Sequence, residues 1–140
     1  MRLSTALALL AGLAGLHAAA TAQPQDAPVP VVKKQSGIAY VSGGATEAEA
    51  REMQRVANRY PMQLRFVIGA DAAAGKGVRV TVKDLRGDKV IEAVSDGPAF
   101  YFNPPSGRWT IDAEYQGETV SKTVDLVGRR YILLEFEFKG

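Results

Sequence analysis

The stretch "VRVTVKDLRGDKVIEAVSDGPAFYFNPPSGRWTIDAEYQGET", residues 78–119, decides the fold class. In its first segment Val78, Val80 and Val82 alternate with Arg79, Thr81 and Lys83. In "RWTIDAEY", Trp109, Ile111, Ala113 and Tyr115 alternate with Arg108, Thr110, Asp112 and Glu114. A period of two sends successive side chains to opposite faces of a strand, so each segment predicts a strand with one dry and one wet face. Between them "KVIEAVS" and the short "AFYFN" predict two more strands. The punctuation is turn chemistry: "RGD" at 86–88, "DGP" at 96–98, "PPSG" at 104–107 and "QG" at 116–117.

Working outward, "MQLRFVI" (62–68) sets Met62, Leu64, Phe66 and Ile68 against Gln63 and Arg65. "GADAAAGKG" reads as a flexible loop. Downstream, "ETVSKTVDL" is a strand, "VGRR" a turn, and "YILLEFEF" a closing strand. Ile132, Leu134, Phe136 and Phe138 share one face of that strand; Glu135 and Glu137 share the other. The two glutamates keep their face wet, discourage edge pairing, and do not suit a lipid-facing barrel strand. Seven strands punctuated about every 8–12 residues predict an antiparallel β-sandwich over residues 62–140. No internal repeat is visible.

Upstream of the sandwich the period changes. Thr46 and Glu49 form a T-x-x-E capping box, which predicts a helix start. Ala50, Met53, Val56, Ala57 and Tyr60 then share one narrow arc, with Arg51, Arg55 and Arg59 opposite. Pro61 stops the helix. Such a helix packs one side on a sheet and leaves its arginines in water. Residues 37–61 therefore read as a "YVSGG" segment followed by one N-terminal α-helix. Residues 23–36, "QPQDAPVPVVKKQS", carry three prolines and read as a Pro-rich leader, extended or disordered.

Residues 1–22 read as a signal peptide: Arg2, an apolar run from Leu3 to Leu16, and the small-x-small site "ATA" at 20–22. The apolar run is short for a membrane span, and "AQPQDAPVP" breaks it. A periplasmic or secreted protein is the expectation, with no membrane span in the mature chain. The 17 Lys+Arg nearly balance the 15 Asp+Glu, and loss of Arg2 brings the chain one charge closer to neutral. No nucleic-acid partner is expected from that balance. The chain has no cysteine, and its one histidine, His17, lies in the signal peptide. That removes Ser-His-Asp triads, Cys-His nucleophiles and His- or Cys-bound zinc from the mature chain. No cofactor, metal site or catalytic residue is expected.

Asp84 with Gly87, Ser95-Asp96-Gly97, Pro104-Pro105-Ser106-Gly107, and Trp109-Thr110-Ile111 with Tyr115 and Gly117 form a run of turn and core positions. In that run residues 62–138 resemble the carboxypeptidase regulatory-like domain. The resemblance implies a transthyretin-like (prealbumin-like) seven-stranded Greek-key sandwich. It also implies a non-catalytic role, since in multidomain relatives this domain is an accessory beside a zinc peptidase. Ser106 departs from the family's Pro-Pro-Gly turn, and the helix is an addition to its basic fold. The order "YVSGG", helix, sandwich looks like a group of small exported proteobacterial proteins. Hydroxyisourate hydrolases of the same fold need histidines and a C-terminal tetrapeptide that this chain lacks. Adhesin sandwiches with Lys-Asn isopeptide bonds put an Asn on the last strand, and "YILLEFEFKG" has none.

Two candidate sites stand out. Tyr40, Val41, Ser42, Gly43 and Gly44 form either a recognition hook at a helix N-terminus or an anchor plus turn, with the glycines supplying positive φ. Arg51, Arg55 and Arg59 form either a basic contact row or a solvated face paired with Glu47 and Glu52. Turn chemistry accounts for the "RGD" sequence and for Asp84, Asp88 and Asp96. The expected function is a non-catalytic binding or assembly module for an envelope protein or peptide. The alternatives are a small carboxylate-based hydrolase, or a structural stress protein without a specific ligand.

Overall fold

In a computed structural model, the described residues are 29–71, 74–128 and 130–140. Residues 1–28, which hold the expected signal peptide and the start of the expected leader, lie outside them. All seven expected strands are present: β3 (Met62–Ile68), β4 (Lys76–Lys83), β5 (Lys89–Asp96), β6 (Ala99–Phe102), β7 (Gly107–Tyr115), β8 (Glu118–Leu126) and β9 (Ile132–Phe138). Two more precede them, β1 (Lys33–Gln35) and β2 (Ile38–Gly43). The strand number is nine, not seven, and the leader assigned to 23–36 ends in a strand.

The strands form two sheets, ordered β1-β2-β6-β3-β9 and β5-β4-β7-β8. Every pairing is antiparallel except β3 with β9, where Met62 to Ile68 run parallel to Ile132 to Phe138. That corrects the all-antiparallel expectation. Alternation fixes which side chains face inward, but it is the same for either strand direction, so it cannot distinguish the two pairings.

The main core lies between the sheets. The predicted inward residues Met62, Leu64, Phe66, Val78, Val80, Val82, Ile111 and Phe136 are fully buried. Aromatic pairs fill its middle, including Tyr40 stacked on Phe100 with centroids 5.5 Å apart and Phe66 tilted on Phe136 at 5.9 Å. A second, smaller core lies outside the five-stranded sheet, where α1 (Glu47–Val56) packs Met53 against Val41 and Tyr60. The helix begins as expected: the Thr46 hydroxyl accepts from Glu49 N–H at 3.1 Å. The reciprocal bond falls one residue early, from Ala45 N–H to Glu49 Oε1 at 3.3 Å. A 3₁₀ turn at Ala57–Arg59 finishes the helix before Pro61.

The second core explains β2. Ile38 and Tyr40 face the sandwich interior, while Val41 faces the helix. Both faces of the strand are dry, so its sequence "IAYVSG" loses the polar alternation that marks the other strands. It enters from β1 through a two-residue turn, Ser36 at φ 51° and Gly37 at φ 77°. Positive φ at both central positions matches the right-handed twist of a hairpin.

Candidate functional site

The two sheets are stitched along the seam between β2 and β5 by side chains. The Gln35 amide bonds both backbone groups of Glu92: its Nε2 donates to Glu92 C=O at 3.0 Å and its Oε1 accepts from Glu92 N–H at 3.0 Å. The same Nε2 donates to the Tyr40 hydroxyl at 2.8 Å. Further along, the Ser42 hydroxyl donates to Ala99 C=O at 3.0 Å and accepts from Asp96 N–H at 2.9 Å. Gly97 lies in the turn between those two partners. A Cβ there would collide with the Gly43 carbonyl, so the close approach of turn and strand requires glycine.

Between these stitches the seam opens into a groove of about 660 Å³. Its walls are β2, the first turns of α1, β5, and the extended segment that leads into β1. Three of its apolar side chains are largely in water: Val29 at 70% exposure, Val31 at 69% and Val94 at 54%. Its charged lining residues are Lys33, Glu49, Glu92 and Asp96. Glu92 lies 3.8 Å from Arg79, and Glu49 holds the Ala45 amide. The Asp96 carboxylate has no hydrogen-bond or ion-pair partner among the described residues.

The structure brings residues 40–44 together on this groove, in mixed roles. Tyr40 and Val41 are buried and anchor β2 to the two cores. The Ser42 hydroxyl is spent on the seam. Gly44 has φ 91°, which favours glycine, but Gly43 does not have positive φ. Gly43 instead faces Met53 with room for a Cβ at ordinary contact, 3.6 Å from its Sδ. The expectation that both glycines supply positive φ therefore holds for Gly44 only.

Arg51, Arg55 and Arg59 are exposed on the far side of α1 and do not line the groove. Arg51 pairs with Glu47 at 3.6 Å and Arg55 with Glu52 at 2.9 Å. Residues that the sequence did not single out complete the site: Gln35, Glu92, Val94 and the strap at 29–31. The Ser36-Gly37 turn was the one available signal, because it predicts a hairpin that brings Gln35 back opposite Ile38, within side-chain reach of Tyr40.

Elsewhere the polar face of the four-stranded sheet carries cross-strand ion pairs. Lys83 Nζ meets Asp112 at 2.9 Å, and Ser121 donates a short hydrogen bond to the same carboxylate. Partial burial pushes the Asp112 carboxyl up, but hydrogen bonds from Lys83 and Ser121 and the Lys83 charge together hold it below its ordinary value. Burial raises the Tyr101 hydroxyl, opposed by the Arg65 charge. The "RGD" tip is ordered by the Asp84 carboxylate, which accepts from Arg86 N–H at 2.9 Å and Asp88 N–H at 3.0 Å. Among the described residues no three His, Cys, Asp or Glu side chains cluster to hold a metal, and no helix is long and apolar enough to cross a membrane.

No protein-family model matches the chain, and no curated protein matches it. Several solved structures are similar, among them these two. One is a D312A form of BcpA, the major pilin subunit of Bacillus cereus, at 20% identity and a TM-score of 0.44, covering 56% of this chain. The chain spans 29% of the length of that pilin subunit. The other is S.CueP, at 13% identity and a TM-score of 0.42, covering 79% of each chain. Likenesses this distant carry no argument about function.

Proposed function

We propose that the protein is an exported, non-catalytic module that binds an envelope protein or peptide in the groove between β2, α1 and β5. The observation that carries this reading is the groove itself, where Val29, Val31 and Val94 stand in water around a concave, partly polar floor. Exposed apolar side chains gathered at one concavity mark a recognition surface better than the same residues scattered singly. The signal-peptide reading of residues 1–22 supports a periplasmic or secreted location. The resemblance to carboxypeptidase regulatory-like domains supports a transthyretin-like Greek-key arrangement and an accessory role.

A hydrolase working through two carboxylates finds weaker support. Of the three carboxylates lining the groove, Glu49 caps the helix start and Glu92 faces Arg79, which leaves Asp96 without a second free carboxylate.

The test is site-specific photocrosslinking in intact cells, with benzoylphenylalanine placed at Val31, at Val94, or, as control, at the exposed Thr123 of β8, on the opposite edge of the four-stranded sheet from β5. The expected result is one recurring protein adduct from the two groove positions and none from Thr123. Equal labelling at all three positions, or no adduct at Val31 and Val94, refutes the reading.

A further inference from the structure

The groove contains an unfinished strand edge. β5 pairs with β4 on one side only, so its other edge faces the seam. Glu92 points both backbone groups to that side, where Gln35 meets them, and Asp96 points its N–H the same way, to Ser42. Backbone direction in an antiparallel strand repeats every two residues, so Val94 presents its N–H and C=O to the same side, between the two stitches. Side chains substitute for a neighbouring strand at Glu92 and Asp96, but among the described residues nothing bonds the outward N–H and C=O of Val94. Native proteins cover or blunt such edges, and an open one is a template for another chain.

The surroundings select what pairs there. Val29, Val31 and Val94 offer apolar contact, and Met53 lies at the helix wall. The charged lining is Glu49, Glu92 and Asp96 with Lys33; Glu92 faces Arg79 and Glu49 holds the Ala45 amide, so Asp96 is the carboxylate left to meet an incoming charge. An unpaired carboxylate there favours a cationic group of the partner and disfavours an anionic one.

Resting on the binding function proposed above, we infer that the ligand is an extended peptide that adds to β5 at Val94 and carries a lysine or arginine beside Asp96. The main-chain pair at Val94 supplies sequence-independent affinity. Alternate side chains supply selection, one set against the valines and the basic residue against Asp96. The short free edge, one residue between two stitches, limits the pairing to a single pair of hydrogen bonds. Binding is therefore weak for each segment, and the basic residue decides which segment binds.

The test is panning of a random heptapeptide display library on the full chain, followed by synthesis of the enriched peptides. The expected enrichment is a basic residue flanked by β-branched apolar residues. Saturating peptide is expected to slow exchange of the Val94 amide by at least about ten-fold, with residues of β8 unchanged. Asp96→Asn, which removes a carboxylate that bonds nothing among the described residues, weakens binding about three-fold, the scale of one exposed ion pair. Enrichment of acidic peptides, or basic peptides that leave Val94 exchange unchanged, overturns the inference. If panning enriches nothing while crosslinks from Val31 and Val94 persist, strand addition fails and the binding function stands. If both experiments are blank, both readings fail.

Discussion

Ser95 is 1% exposed and is the one buried polar side chain among the described residues. Its hydroxyl donates to Gly75 C=O at 2.6 Å and accepts from Val78 N–H at 2.9 Å. Val78 lies within the irregularity of β4, where the register with β5 slips between Lys76 and Arg79, and Gly75 directly precedes it. The bulge removes the ordinary ladder partners of these groups, and the serine replaces them. Ser95→Ala leaves one buried donor and one buried acceptor without a partner. Each costs about 1–3 kcal/mol, so the expected loss is about 2–4 kcal/mol after some relaxation. Ser42→Ala removes the same two kinds of bond on the seam, but there the Asp96 amide is exposed and water replaces the hydroxyl. The expected loss is about 1 kcal/mol. Urea unfolding of the two variants, compared at an unchanged m-value, measures both. A Ser95→Ala loss below about 1 kcal/mol, or a Ser42→Ala loss as large as that of Ser95→Ala, refutes the burial argument.

Gly44→Ala is expected to cost roughly 1–2 kcal/mol because φ is 91°, while Gly43→Ala is neutral or slightly stabilising; equal losses in thermal melts contradict this division. Met53→Ala is expected to cost about 2–3 kcal/mol, because Met53 is the buried centre of the second core. It is also expected to speed amide exchange across residues 47–56, and unchanged exchange there counts against a docked helix. The Asp112 carboxyl is depressed in the folded state, so its contribution is fully present above its unfolded value near pH 4 and is lost as pH falls through the lower folded value. Asp112→Asn therefore costs up to about 1 kcal/mol at neutral pH and less at pH 2. Urea midpoints across that range check the sign, and a larger cost at pH 2 than at pH 7 reverses it.

The candidate site was legible only in part. "YVSGG" drew notice as a compressed apolar and glycine-rich stretch, and the groove does form along it. Both readings of it, a recognition hook or an anchor plus turn, set it ahead of the sandwich and missed that it is an interior strand of the larger sheet. The cause is physical. A strand covered on one face by the sandwich and on the other by a helix has no wet side chains, so its sequence carries no period of two. The arginines were legible as a solvated face, since Glu47 and Glu52 stand at the spacings that pair with them.

Local sequence determined what depends on local chemistry: the seven alternating strands, the turns between them, the capped start of α1, and the absence of histidine and cysteine from residues 23–140. Tertiary structure decided what depends on two distant segments meeting. It set the parallel pairing of β3 with β9 and the enclosure of β2. It brought Gln35 to Glu92, fifty-seven residues apart, and so placed one unpaired backbone edge at Val94 inside a groove. A residue's alternation records only whether each of its faces is wet. It does not record which strand lies beside it, because hydrogen bonds between strands are made by the backbone that all residues share.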